Sequence, residues 1–171
     1  MTLPLIPLDY WNGRDTLKLR YPWLAPAASV AIDKFLTSSM DVLEFGSGGS
    51  TLFFADRAKS VLSFETLDHW YPEVAACKPD NVWLHLVKTY EEILPIIGER
   101  MFDLCLVDIC NISRPDLVRL SMKHVKSPGL VVLDNFSAEY SNGCLAEFAG
   151  LKQENYYDQN FVGSGTKIYY M

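Results

Sequence analysis

No stretch of this chain approaches the roughly 18 consecutive apolar residues of a membrane-spanning helix, so the sequence argues against membrane insertion. The opening MTLPLIPLDYWNGRD lacks a basic cluster and a continuous apolar core, and no secretory leader is expected from it. Basic residues are also short. Fifteen Lys and Arg against 21 Asp and Glu leave a net charge of −6, which argues against a protein that coats nucleic acid. No C-x-x-C pair occurs among Cys77, Cys105, Cys110 and Cys144. The cysteines therefore read as buried free thiols in a reducing, cytoplasmic compartment. His69, His85 and His124 carry no local signature of a cysteine–histidine nucleophile. Internal repeats, low-complexity tracts and linkers are absent as well, and the 171 residues suit one domain, 1–171, with a real core.

What is present is an alternation of strands and helices. Apolar residues make up 49% and charged residues 21%, ordinary globular usage. Strands are expected at 41–45 (DVLEF), 60–65 (SVLSFE), 81–87 (NVWLHLV), 102–109 (FDLCLVDI) and 129–135 (GLVVLDN). Several are near-continuous apolar runs, the pattern of strands covered on both faces. Helical patterns lie at 50–58, 68–77, 90–98, 114–125 and 143–152. The expected fold is α/β: a doubly wound, mostly parallel sheet over 41–171. NYYDQNFV and TKIYYM, around GSG, are joined too tightly for a crossover helix, so a C-terminal antiparallel strand pair should close the sheet. Residues 1–40 form an N-terminal extension. Pro4, Pro7, Gly13 and Pro22 make 1–24 read as irregular, and Pro26 suits the first turn of a helix over 27–37.

The first strand runs into Gly46-Ser47-Gly48-Gly49-Ser50-Thr51. Glycines there let the backbone turn tightly and approach a ligand, and Ser50 or Thr51 suits the cap of the next helix. Glu65 ends the second strand, 19 residues beyond Gly46. A carboxylate at that place accepts hydrogen bonds from a ribose diol. The loop lacks the third glycine of G-x-G-x-x-G and the G-K-[ST] of a phosphate-binding loop. Glu44, two residues before Gly46, suits a cationic group such as an amine or sulfonium better than a pyrophosphate.

VLEFGSGGSTLFFA resembles motif I of the class I S-adenosylmethionine-dependent methyltransferases, with their acid–x–G–x–G pattern. The resemblance extends over 41–171, including the order of elements and the terminal strand pair. It implies a Rossmann-like methyltransferase fold and S-adenosylmethionine as cofactor. The Gly46–Gly48 loop, with Ser47, would hold the methionine portion, Glu65 would bind the ribose hydroxyls, and Lys88 and Thr89 would lie near the adenine. Glu44, Ser50, Thr51 and Asp108 complete the expected cofactor-binding set.

Asp108 ends the fourth strand, and Asp134-Asn135 ends the fifth. Two carboxylates and a carboxamide at one sheet edge suit a hard cation such as Mg²⁺. Asp108, Asp134 and Asn135 also resemble the metal ligands of the catechol-type O-methyltransferases. There the metal lowers the pKa of a substrate hydroxyl. ICNISRPD, after Asp108, departs from that subgroup, and its lysine base has no counterpart. Direct substrate or cofactor contact by Asp108, with Asp108 as the catalytic residue, stands beside the metal reading. So does a polar strand end without chemistry.

Around the site, Tyr21, Trp23 and Pro26 read either as an aromatic lid or as helix packing. Trp70 reads as an adenine-stacking ring or a core residue. Arg114 reads as an anion binder or a solvated cation, and Asp68 as a helix cap. The expected function is methyl transfer to an oxygen or nitrogen of a small molecule. No asparagine/aspartate–proline–proline–aromatic motif of amino-methylating DNA enzymes occurs. The substrate pocket is either shallow or completed by a second subunit, as in a homo-oligomer. The alternative is a catalytically silent or accessory methyltransferase-like protein, since no general base is sharply defined. A nicotinamide-dependent reductase fits less well, because of Glu44 and the missing glycine.

Overall fold

The computed structural model describes residues 13–136, 145, 148–157 and 165–171. The elements are α1 (Gly13–Leu19), α2 (Pro26–Phe35), β1 (Asp41–Phe45), α3 (Gly49–Ala55), β2 (Ser60–Glu65), α4 (Tyr71–Ala75), β3 (Val82–Leu86), α5 (Tyr90–Ile97), β4 (Phe102–Val107), α6 (Arg114–His124), β5 (Val125–Phe136), β6 (Gln153–Tyr157) and β7 (Gly165–Tyr170). They build one seven-stranded sheet in the order β3-β2-β1-β4-β5-β7-β6. The strands β1 to β5 pair in parallel, and β7 lies antiparallel to both β5 and β6.

Alternate side chains of the central strands feed two separate cores. Val42, Val61, Leu104, Leu106 and Val132 pack with Ala28 and Ile32 of α2 and with Leu52 and Phe53 of α3. Leu43, Leu62, Cys105, Val107 and Val131 pack with Ile93 and Ile97 of α5 and with Leu117 and Val118 of α6. Burial on both faces is why β1, β4 and β5 read as unbroken apolar runs rather than as alternating ones. No helix among the described residues is long and apolar enough to cross a membrane.

The expected strands and the helices up to residue 125 appear, with ends shifted by a few residues, while residues 158–162 of the expected NYYDQNFV strand lie outside the described residues. Of the helix expected at 143–152, residues 143, 144, 146 and 147 lie outside the described residues, and 148–151 form a turn instead of a helix, closed by the Leu151 N–H donating to Phe148 O at 3.0 Å. The irregular reading of 1–24 needs correction over 13–19, where α1 forms. Seven residues are too few for a helix to persist by propensity alone. Tertiary contacts hold α1: Leu17 is buried, and Arg20 at its end makes a two-pronged pair with Asp56 at 2.5 and 2.6 Å. A Cβ on Gly49 would lie 2.2 Å from Tyr21 O and 2.6 Å from Thr16 O, so glycine lets α1 close onto the first residue of α3.

Candidate functional site

The turn between β1 and α3 stands at the carboxyl edge of the sheet, between the ends of β2 and β4. Gly46 N–H donates to Phe64 O at 2.8 Å, and Asp108 N–H donates to Phe45 O at 2.7 Å. Gly46 has φ +95°, and a Cβ there would meet Asp108 O at 2.0 Å. Only glycine permits this crossing. Gly48 differs. Nothing approaches its missing Cβ more closely than the Trp70 ring at 3.9 Å, so its bare backbone faces open space.

That space is a cavity of about 330 Å³. Gly46 to Ser50 form one wall, and Glu65, Leu67, His69 and Trp70 form the wall beyond β2. Asp108, Ile109 and Cys110 close it beyond β4, and Thr16, Trp23 and Leu24 reach it from the N-terminal segment. Of the two aromatics proposed for a lid, Trp23 lies at the cavity, whereas Tyr21 packs edge-on against Phe53 in the core. Pro26 opens α2. The Trp70 indole N–H donates to Ser47 O at 2.8 Å, fixing the ring beside the turn. Trp70 both packs against the α2–α3 core and lines the cavity.

The two glutamates of the motif have different surroundings. Glu44 is fully buried beneath the turn and is not part of the cavity wall. Its carboxylate accepts the hydroxyls of Ser50, Thr51 and Ser63, each at 2.6 Å. Burial pushes its pKa up to about 7, against the pull of those three hydroxyls. Thr51 Oγ1 in turn accepts the Gly48 N–H at 2.8 Å, so Thr51 ties the turn to Glu44. Ser50 lines the cavity with its hydroxyl turned to Glu44. Glu65 reaches the cavity. Its Oε2 accepts the Ser47 N–H at 3.1 Å and the Ser47 hydroxyl at 2.8 Å. Its Oε1 accepts the N–H groups of Thr66 at 2.7 Å and Leu67 at 3.0 Å.

Lys88 and Thr89 are not in the cavity wall. Lys88 Nζ donates to Thr66 O at 2.7 Å and pairs with Asp68 at 2.8 Å. Asp68 therefore does not cap α4, whose N-cap is Trp70.

The second acid set is held by a guanidinium of the protein itself: Arg114 binds anionic side chains here rather than standing as a solvated cation. Arg114, the first residue of α6, is mostly buried. It donates to Asp108 Oδ1 at 3.0 Å, Asn135 Oδ1 at 3.1 Å, Asp134 O at 2.8 Å and Ile109 O at 2.9 Å. Asp134 is buried, and its Oδ1 accepts the Thr166 hydroxyl at 2.5 Å. Thr166 also takes the Ala25 N–H at 3.0 Å, joining β5, β7 and the start of α2. The metal expectation finds no support here. Among the described residues no group of three His, Cys, Asp or Glu is arranged to hold a metal ion, and a fixed cation already lies between Asp108 and Asn135. Burial first, and the Asp134 charge second, raise the Asp108 pKa, while Arg114 opposes both.

The fold resembles several solved structures. An rRNA methylase from Streptococcus thermophilus superposes with TM-score 0.61 at 14% identity, covering 81% of this chain and 89% of its own. The O-methyltransferase TomG from Streptomyces achromogenes, involved in tomaymycin synthesis and solved with S-adenosylmethionine, gives 0.58 at 15%, covering 78% and 74%. A precorrin-8w decarboxylase from Methanobacterium thermoautotrophicum gives 0.64 at 15%, covering 98% and 100%. The fold is that of the class I, Rossmann-like methyltransferases. No protein-family model matches the chain, and no curated protein matches it significantly. At these identities the neighbours speak for the fold, and their different reactions leave the acceptor to the site itself.

Proposed function

We propose that this chain is a cytoplasmic S-adenosylmethionine-dependent methyltransferase acting on an oxygen or nitrogen of a small molecule. The observation that carries the reading is one cavity lined by both the Gly46–Gly48 turn and the Glu65 carboxylate, at the carboxyl edge of β1 and β2. The open place where a Gly48 Cβ would stand is the close approach that a nucleoside-bearing cofactor needs. When bound, S-adenosylmethionine supplies a sulfonium methyl to an acceptor lone pair. Ser47 to Ser50 would line its amino-acid portion, Glu65 would accept its ribose hydroxyls, and Trp70 would offer a flat face beside them. Glu44 acts from below, holding Thr51 and so the Gly48 N–H. Asp108, on the opposite wall, would take the acceptor's proton in its ionised form, with Arg114 holding its orientation. Alignment of acceptor and methyl supplies most of the remaining rate.

The small cavity and the net charge of −6 support a small acceptor rather than a polynucleotide. Free thiols support a reducing compartment, although of the described thiols expected to be buried only Cys105 is, whereas Cys77 and Cys110 are exposed. Calorimetric titration with S-adenosylhomocysteine tests the reading. Binding with a Kd on the order of micromolar is expected, unchanged by Mg²⁺ or by chelator, since Arg114 already neutralises Asp108. The engagement of Asp108 by Arg114 favours a second reading, an accessory methyltransferase-like protein whose partner supplies catalysis. Absence of binding moves that reading to first place.

A further inference from the structure

An ionised carboxylate offers about four lone-pair sites, and Glu65 has four donors: the N–H groups of Ser47, Thr66 and Leu67 and the Ser47 hydroxyl. No site is left for a ligand hydroxyl. Three of the donors belong to the backbone. The Ser47 peptide is clamped from both sides, since its carbonyl accepts the Trp70 indole N–H at 2.8 Å and the following N–H, of Gly48, bonds Thr51 Oγ1 at 2.8 Å. The fourth donor, the Ser47 hydroxyl, hangs on a single rotatable bond in a half-buried side chain at the cavity wall. It leaves by rotation about χ1, with no movement of the chain.

We infer that the Ser47 hydroxyl is a placeholder for a ligand hydroxyl on Glu65 Oε2, exchanged when a vicinal diol enters the cavity. Without a ligand it keeps a buried carboxylate satisfied, which otherwise costs heavily. On binding, one hydroxyl of the diol takes the vacated lone pair while the three backbone donors stay in place. A ligand that lacks the diol finds Oε2 still covered. Ser47 thus sets a selectivity threshold: it lowers the affinity for every diol-bearing ligand by the cost of the exchange and makes diol-free ligands gain nothing from Glu65. This rests on the proposed binding of S-adenosyl ligands in this cavity.

The test is titration of wild type and Ser47→Ala with S-adenosylhomocysteine and with its 2′,3′-dideoxy analogue, after thermal unfolding shows both proteins folded. Removing the hydroxyl frees Oε2, and S-adenosylhomocysteine should bind about threefold to tenfold more tightly, the scale of one hydrogen bond exchanged against water. The dideoxy analogue should bind both proteins alike. Equal or weaker binding of S-adenosylhomocysteine to Ser47→Ala, with wild type binding well, overturns the placeholder and leaves the methyltransferase reading standing. An equal gain for the dideoxy analogue also overturns it, because the gain then comes from a loosened turn. If wild type binds neither ligand, the cofactor reading fails and the placeholder falls with it.

Discussion

Glu44 and Glu65 flank the same glycine turn, and both are almost completely buried, at 0% and 3% exposure. Their partners separate them. Glu44 sits on the α3 face of β1, directly opposite Ser63 in the parallel register, and takes only side-chain hydroxyls. Glu65 stands where β2 ends, and three of its four donors are backbone N–H groups. Hydroxyls on rigid elements make Glu44 an internal fastening for the turn. Backbone donors at a strand end aim the Glu65 carboxylate into a cavity. Equal burial of one residue type thus marks two roles, and the donors tell them apart.

Replacing each in turn is the most direct way to break the comparison. Glu44→Ala should cost about 2–4 kcal/mol of stability, since it orphans three buried hydroxyls and opens a void. Denaturant unfolding measures it, and a loss below about 1 kcal/mol would remove Glu44 from the fastening role. Glu65→Ala should instead weaken S-adenosylhomocysteine binding by about 1–3 kcal/mol through lost charge-assisted hydrogen bonds. Unchanged affinity in calorimetry would take Glu65 out of the site.

The pH dependence of folding sharpens the contrast. Glu44 is raised from its ordinary value of 4.5 to about 7 by burial, so between those values the folded chain holds a proton that the unfolded chain has released. Its contribution to stability is full below pH 4.5 and is lost as pH rises through about 7, on the order of 3 kcal/mol at most. Glu44→Gln should flatten that fall in unfolding free energy measured across the window. A profile identical to wild type would show that the proton resides elsewhere.

The other end of the edge gives a smaller expected effect. Arg114→Ala leaves Asp108 without its cation, but Asp108 is partly solvated, so a loss of about 1–2 kcal/mol is expected from denaturant curves. The smallest effect should come from Lys88→Ala, which removes a solvent-exposed pair with Asp68 outside the cavity. S-adenosylhomocysteine affinity should stay within about twofold of wild type. A tenfold loss would bring the turn after β3 back to the adenine, as the family resemblance implied.

Much of the architecture was legible because parallel strands buried on two faces leave uninterrupted apolar runs. Turn glycines and terminal acids marked where those runs stop. The helix α1 escaped detection, since its stability lies in Leu17, the Arg20–Asp56 pair and the close approach at Gly49, contacts remote in sequence. The Asp108, Asp134 and Asn135 set was legible as a group of oxygens at one edge. Its occupant was not. Arg114 follows Asp108 by only six residues, yet the α6 N-terminus turns its guanidinium back across the ends of β4 and β5.

By itself, then, the sequence determined the strand and helix alternation, the terminal strand pair and the place of the glycine turn, because these follow from periodicity and from backbone freedom, both local. Only the tertiary structure decided which glutamate faces the cavity, that Ser47 covers Glu65, and that a guanidinium rather than an open oxygen cluster occupies the second acid site. Those outcomes depend on which donors come within about 3 Å of a buried carboxylate, and that distance is fixed by packing between elements far apart in the chain.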